Sequence, residues 1–320
     1  MTSIHVNASR EYDVIIERGI LDRAGDELRR VNPNGRIAAI VAGERVAALY
    51  GARLAASLER AGYGAVSFVY PGGEKYKTLE TYAALMDFLS REHFTRGDAV
   101  AALGGGVTGD LAGFAAATYQ RGAAFVQIPT TLLAAVDSSV GGKTAVDLPT
   151  GKNQAGCFYQ PCAVLCDPDT LKTLPAAEFA NGCAEIVKYG VLGDAALFAS
   201  LERGGVASQV ERVIARCVEM KRDIVEEDEF DTGRRMLLNL GHSVGHAIEK
   251  CSGFAVPHGS AVAVGMVVIM RAAIKRGICP AAAAERTERL LAQLGLPTLT
   301  AYPADELSRA MLSDKKMTGE

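Results

Sequence analysis

Hydrophobic and polar positions follow two rhythms in the first half of the chain. Short apolar runs at 36–42 (RIAAIVA), 65–70, 98–103 and 125–128 have the length and β-branched content of buried strands. Between them, 44–61, 78–92 and 111–119 place apolar residues three and four apart, the spacing of amphipathic helices. Strand–helix alternation of this kind predicts a parallel sheet covered by helices. The opening segment, 3–17, alternates more loosely and predicts an edge hairpin. After Pro161 the rhythm changes. A turn-rich bridge, from Asp167-Pro168-Asp169 to Leu174-Pro175, leads into helical periodicity at 176–189, 208–226, 234–250, 259–277, 281–294 and 304–313. Gly295, Pro297 and Pro303 punctuate the last of these. The expected architecture is an N-terminal Rossmann-like α/β domain over 1–168, followed by an all-helical domain over 169–320.

Composition narrows the class of protein. The 34 basic and 37 acidic residues leave a net charge of −3, without the basic excess that a nucleic-acid binder gathers on one face. With 49% hydrophobic and 22% charged residues, the chain has enough apolar side chains for a large core. No apolar run approaches the roughly 20 residues that span a bilayer, and 261–270, the longest candidate, reads as a buried helix. The first ten residues lack the basic and apolar segments of a secretory signal, so a cytoplasmic protein without membrane or nucleic-acid partners is expected. Seven cysteines with no C-x-x-C pair read as buried thiols rather than a metal ribbon.

Three groups of residues carry candidate chemistry. Gly104-Gly105-Gly106-Val107-Thr108-Gly109-Asp110 fits G-x-G-x-x-G between a predicted strand and a predicted helix. There, small residues let backbone N–H groups approach a pyrophosphate at the positive helix end. The loop follows about the third strand, so the Rossmann layout is non-standard, and a plain strand-to-helix turn would have the same composition. The second group is histidine-rich: three of five histidines fall at His242, His246 and His258. His242 and His246 share a helix face, His258 arrives from the next loop, and Glu185 lies on an apolar helix where an unpaired charge is costly. Two imidazoles and one carboxylate suit catalytic zinc, although spacing alone does not select the two histidines. The competing reading is a core histidine at 246 and a Glu185–Lys188 ion pair one turn apart. The third group is cationic: glycine-flanked Lys143 and Lys152 suit a bound anion, with Lys221, Arg222, Arg234, Arg235, Lys315 and Lys316 elsewhere.

Taken together, these motifs resemble the sugar-phosphate cyclases, and most closely the 3-dehydroquinate synthase family. The resemblance runs through nearly the whole chain. It includes Pro71-Gly72-Gly73-Glu74-Lys75-Tyr76-Lys77, the 103–110 loop, Thr118-Tyr119-Gln120-Arg121-Gly122, Pro129-Thr130-Thr131, 136–144, Gly151-Lys152-Asn153, Ala184-Glu185 to Lys188, and Leu238-Asn239 to Glu249. It implies Glu185, His242 and His258 as ligands of Zn2+ or Co2+, with His246 left for proton transfer. It implies NAD along Gly105, Gly106 and Val107, near Asp110, Thr130, Thr131, Asp137, Lys143 and Lys152, with Glu74 and Lys77 at the adenosine end and Thr173 and Glu178 completing the set. Substrate would meet Lys143, Asn153, Lys188, Lys221, Arg235, Asn239 and one of Lys315 or Lys316, with Lys316 favoured.

A homodimer is implied too, in which Arg121 reaches the neighbouring subunit. The expected reaction converts 3-deoxy-D-arabino-heptulosonate 7-phosphate to 3-dehydroquinate and phosphate, a step of the shikimate pathway. Two departures stand out. Gly43 replaces the usual Asp or Asn after the first α/β strand, with Glu44 beside it, and the chain stops at Glu320, where family members continue for a few dozen residues. Rival readings are another sugar-phosphate cyclase, a metal-dependent polyol dehydrogenase with net NADH production, and a truncated NAD-binding protein without turnover.

Overall fold

The structure is a computed structural model and describes residues 1–312. The chain forms two compact units, one of Met1–Leu174 with Ile214–Phe230, the other of Pro175–Val213 with the residues from Asp231 onward. The sequence reading put the boundary at 168/169. In the structure the chain changes unit at Leu174/Pro175, and the segment Ile214–Phe230 returns to the first unit.

The first unit is built on a seven-stranded sheet. Its strands are β1 (Thr2–Val6), β2 (Tyr12–Ile16), β3 (Ile37–Gly43), β4 (Gly64–Tyr70), β5 (Ala99–Gly104), β6 (Ala124–Pro129) and β9 (Ala163–Cys166). Their order is β1-β2-β9-β6-β5-β3-β4. Every neighbouring pair is parallel except β1 with β2, the expected edge hairpin. The strands read as continuous apolar runs because both faces are covered. From β3, Ala38, Ile40 and Ala42 point into a core with Leu28, Leu54 and Leu58, carried by α1 (Ala24–Val31) and α3 (Ala52–Arg60). Ala39 and Val41 point to the other face, against Leu85, Leu89, Leu111 and Ala115. Those come from α4 (Leu79–Arg91) and α5 (Gly106–Thr118), while the short α2 (Glu44–Val46) leads into α3 through a π turn at Ala47–Gly51.

Periodicity did not reveal the antiparallel hairpin of β7 (Lys143–Leu148) and β8 (Gly151–Phe158), nor β9. Glycines and lysines hide the hairpin's alternation, and β9 is only four residues long.

The second unit is helical, as expected. It holds α6 (Ala176–Gly193), α7 (Ala195–Gly204), the first residues of α8 (Val210–Glu227), α9 (His242–Cys251), α10 (His258–Lys275), α11 (Ala281–Gln293) and α12 (Ala304–Leu312). Val244, Ala247, Ile248, Ala261, Val264 and Leu307 form a core among α9, α10 and α12. The helix expected over 234–250 is instead a 3-10 turn, Arg234–Asn239, followed by α9. Gly241 makes the break, with φ +79° at a position where an added Cβ would lie 2.7 Å from the Met266 nitrogen and 2.8 Å from the Val262 oxygen. Left-handed backbone and close approach to α10 together require glycine there. The break starts α9 at His242. α10 is long and apolar enough to cross a membrane by length and composition, but Ala261 to Val267 of it are buried in this unit's core.

Candidate active site

In the first unit, backbone rather than side chains shapes the glycine loop. β5 ends at Gly104 and α5 begins at Gly106, so the loop caps a 13-residue helix whose leading N–H groups have no intrahelical acceptors. A Cβ on Gly105 would meet Thr131 at 2.9 Å, and one on Gly106 would meet Ser138 Oγ at 2.9 Å. The loop is therefore held against the turn after β6, where the Thr130 N–H donates to the Gly104 carbonyl at 2.9 Å. Val107 packs into the core beneath. That geometry leaves the concave surface for an anion at the positive end of α5.

Beside the loop lies a buried charge network. Lys77, 3% exposed, stands 3.1 Å from both Glu74 and Asp110 and 3.7 Å from Asp147, and donates to Asn153 Oδ1 at 2.6 Å. Lys152 reaches Glu74 at 3.4 Å. Burial alone would push the lysine pKa down, but Asp110, Glu74 and Asp147 outweigh it and hold the ammonium charged. Burial raises the pKa of Asp110, with Lys77 opposing and Glu74 and Asp147 adding to the rise. Asp147 also accepts the Asn153 N–H at 2.7 Å, holding Asn153 in a left-handed conformation at φ +53°. Sequence reasoning missed Asp147; its signal was a carboxylate next to the Gly151-Lys152-Asn153 turn.

Elsewhere in this unit, Lys221 on α8 is 6% exposed and donates to the Asp137 carbonyl at 2.7 Å and to its carboxylate at 2.5 Å. A π turn, Ala134–Ser138, presents both acceptors together. Lys143 stands exposed at the start of β7. Arg121 is exposed on a turn where Gln120, Arg121 and Gly122 all have positive φ, at +47°, +69° and +124°. The Thr173 hydroxyl lies 2.5 Å from the Tyr50 hydroxyl. Gly43 packs closely on the next turn, since a Cβ there would lie 3.2 Å from Gly72 Cα.

The second unit gathers the histidines. Glu185, on α6, is fully buried, and its Oε1 lies 3.4 Å from His258 Nε2 and 3.7 Å from His242 Nε2. Ligand atoms of these three residues all fall within 4.8 Å of one another. Ligands about 2.0–2.1 Å from a tetrahedral ion stand roughly 3.3 Å apart, so the spacing fits a zinc-sized cation. Glu185 Oε1 has no hydrogen-bond partner among the described residues, an arrangement that burial disfavours unless a cation completes it. The Glu185–Lys188 ion pair, the competing reading, is present as well: Lys188, 1% exposed, pairs with the other oxygen, Oε2.

Three contacts orient these side chains. His242 Nδ1 lies 3.2 Å from the Leu240 carbonyl, which turns Nε2 toward Glu185. Asn181, one turn before Glu185 on α6, accepts the Gly259 N–H and so ties α6 to the start of α10, where His258 sits. A Cβ on Gly259 would lie 2.0 Å from the Asn181 carbonyl, so only glycine allows this contact. Glu249 Oε2 is 3.3 Å from His258 Nδ1. Asn181 had no role in the sequence reading, and Glu249 entered it only as the end of a motif. The available signal was helical spacing, four before Glu185 and three after His246.

Burial pushes the His242 pKa well below its ordinary value, with the charge of Lys188 and the other two histidines adding to the effect. Burial would lower His258 too, but Glu185 and Glu249 outweigh it and raise its pKa to about 9. The His246 ring sits 5.6 Å from that of His242 and 6.2 Å from that of His258, centroid to centroid. Arg235, 1% exposed, and Asn239 lie on the 3-10 turn before α9. Glu178, in the first turn of α6, belongs to this unit. Lys315 and Lys316 lie outside the described residues.

Known proteins resemble this chain along nearly its whole length. Residues 67–181 match the 3-dehydroquinate synthase N-terminal family and 182–317 the 3-dehydroquinate synthase C-terminal family. A 3-dehydroquinate synthase of Caulobacter vibrioides is 49% identical over 324 residues, covering 97% of this chain and 88% of the relative. Among solved structures, a 2-deoxy-scyllo-inosose synthase complexed with carbaglucose-6-phosphate, NAD+ and Co2+ superposes with a TM-score of 0.90 at 28% identity, covering 99% of this chain and 88% of that one. A 2-epi-5-epi-valiolone synthase from Streptomyces hygroscopicus subsp. jinggangensis, with NAD+ and Zn2+ bound, gives a TM-score of 0.86 at 31% identity and coverages of 96% and 88%.

Proposed function

We infer from this chain, which belongs to the 3-dehydroquinate synthase family, that it converts 3-deoxy-D-arabino-heptulosonate 7-phosphate to 3-dehydroquinate and phosphate, using NAD and a divalent metal. The observation that carries the reading is the buried Glu185 carboxylate facing two imidazole nitrogens at 3.4 and 3.7 Å. The residues fit both cofactors: Glu185, His242 and His258 would hold Zn2+ or Co2+ in the second unit, and the Gly105–Gly106 loop, with Val107, Asp110, Thr130, Thr131 and Asp137, would hold NAD in the first. When bound, the metal supplies a Lewis acid for the substrate's hydroxyls and NAD supplies a reversible hydride acceptor.

The remaining work falls to this chain's own side chains. Backbone N–H groups at the start of α5 would bind the pyrophosphate, with Lys152 nearby and Glu74 and Lys77 at the adenosine end. In the first unit Lys143, Asn153 and Lys221, and in the second Lys188, Arg235 and Asn239, are each candidates to meet a substrate that carries a carboxylate and a phosphate. Charge grows on the phosphate as it leaves, so fixed cations favour that step over the ground state. His246 offers a ring nitrogen for a proton. Because Arg235 is a buried guanidinium suited to a carboxylate, a carboxylated substrate is favoured over glucose 6-phosphate or sedoheptulose 7-phosphate. A homodimer, with Arg121 serving the partner subunit, and a cytoplasmic location belong to the same proposal.

The test is phosphate release from the three sugar phosphates with catalytic NAD and zinc, with and without EDTA, while NADH absorbance is followed. Chelator-sensitive release from the heptulosonate alone, without NADH accumulation, is the expected result. Net NADH production would point to a dehydrogenase, and release from another sugar phosphate to a different cyclase.

A further inference from the structure

We propose that Glu249 is a positioning residue for His258, fixing which ring nitrogen that histidine offers to a cation. The inference rests on the cation-site reading of Glu185, His242 and His258. Glu249 lies near the end of α9 and is 2% exposed, on the helix face that also carries His242 and His246. A carboxylate this buried is costly unless hydrogen-bonded or paired. Its Oε2 is 3.3 Å from His258 Nδ1, while Nε2 of the same ring is 3.4 Å from Glu185 Oε1. A neutral imidazole donates from one nitrogen and accepts at the other. With the Nδ1 proton given to Glu249, the Nε2 lone pair faces Glu185 and His242, where the cation would sit.

The backbone of Glu249 supports the same geometry. Its carbonyl accepts the Phe254 N–H at 2.7 Å and the Ser252 hydroxyl at 2.8 Å, closing the turn that returns the chain to His258. His242 is oriented in the same way, but by the neutral Leu240 carbonyl at 3.2 Å. The two imidazoles therefore differ. The one backed by a charged carboxylate is the stronger electron donor, and removing such a partner typically weakens metal binding about 10–100-fold. Glu249 also forms a possible ligand group with His246 and His258. In that alternative it would bind the ion itself.

The experiment measures zinc affinity of the full chain by competition with a chromophoric chelator, and the visible spectrum of the cobalt-loaded protein. Glu249→Gln keeps an acceptor and loses the charge, so a loss of about 10-fold is expected; Glu249→Leu loses both, for about 100-fold. The cobalt bands should shift in energy while keeping the intensity of the wild-type coordination number, a readout that a merely structural role would not move. Should Glu249→Leu fail to fold, Glu249→Gln carries the test. Zinc affinity within twofold of wild type in Glu249→Gln, with unshifted cobalt bands, overturns the proposal, as does a changed coordination number, which would make Glu249 a ligand. Glu185→Gln separates the two readings: if it leaves zinc affinity intact, the cation site itself is wrong, whatever Glu249 does.

Discussion

The glycine loop of the first unit and the histidine cluster of the second are built on opposite principles. The loop is backbone: contiguous residues at a strand-to-helix junction, with glycines where a Cβ would strike Thr131 or Ser138. The cluster is side chain: Glu185 from α6, His242 from α9 and His258 from α10, assembled across 73 residues of sequence by glycine contacts between helices. A contiguous site can be damaged by adding one methyl group. A dispersed one depends on what holds each side chain.

Glu185→Gln should abolish tight zinc binding and reduce turnover by on the order of 10⁴-fold, because on the proposed reading it would remove the charged ligand on which several kcal/mol of transition-state stabilisation depend. NAD affinity should barely change, which equilibrium binding of the cofactor would check. Lys77→Met, in the first unit, leaves Glu74, Asp110 and Asp147 crowded around an apolar side chain. A loss of about 3–5 kcal/mol of stability is expected near neutral pH. Burial already raises the Asp110 pKa in the folded state, so the folded protein binds protons more tightly there than the unfolded chain. The penalty should therefore shrink as pH falls and the carboxylates protonate, and urea melts across pH would show it.

Gly106→Val drives a branched side chain into Ser138. It should weaken NAD by about 2 kcal/mol, or roughly 30-fold, with zinc affinity intact. The smallest effect is in the scaffold. The Asp98 carboxylate accepts N–H bonds from Arg36, Ile37 and Thr95 at 2.7–2.9 Å, pinning the start of β3 to the turn before β5. Burial opposes its ionisation, but the bonds from Ile37, Thr95 and Arg36 prevail and lower its pKa. Its contribution is thus complete above the unfolded carboxylate pKa and is lost as pH falls through the lower folded value. Asp98→Asn should cost about 1–2 kcal/mol at pH 7 and progressively less in acid, with cofactor binding unchanged.

The same contrast explains what was legible in the sequence. The sheet strands and the loop at 104–109 were readable because strand period, glycine and helix start are all local signals. Helix α7 was not anticipated, and the helix over 234–250 was drawn without its break. The reason for glycine at 241 is the backbone of α10 at Val262 and Met266, a contact that local spacing does not show. Likewise, spacing alone left three histidines competing for two places, and only the resemblance to a known family chose among them. Burial of Lys77 among three carboxylates and the Asn153 amide had no local trace, since a lysine near glutamates usually marks a solvated surface.

The most direct test of the account follows a single hydrogen. If the cofactor of the glycine loop takes hydride from C5 and returns it within one turnover, substrate deuterated at C5 must yield product that keeps the label, although unlabelled NAD and ordinary water surround it. Mass spectrometry of the dehydroquinate, with phosphate counted in parallel, decides the matter. Retention of the label with one phosphate released per product is the predicted result. Loss of the label, or NADH accumulating in step with turnover, would contradict it.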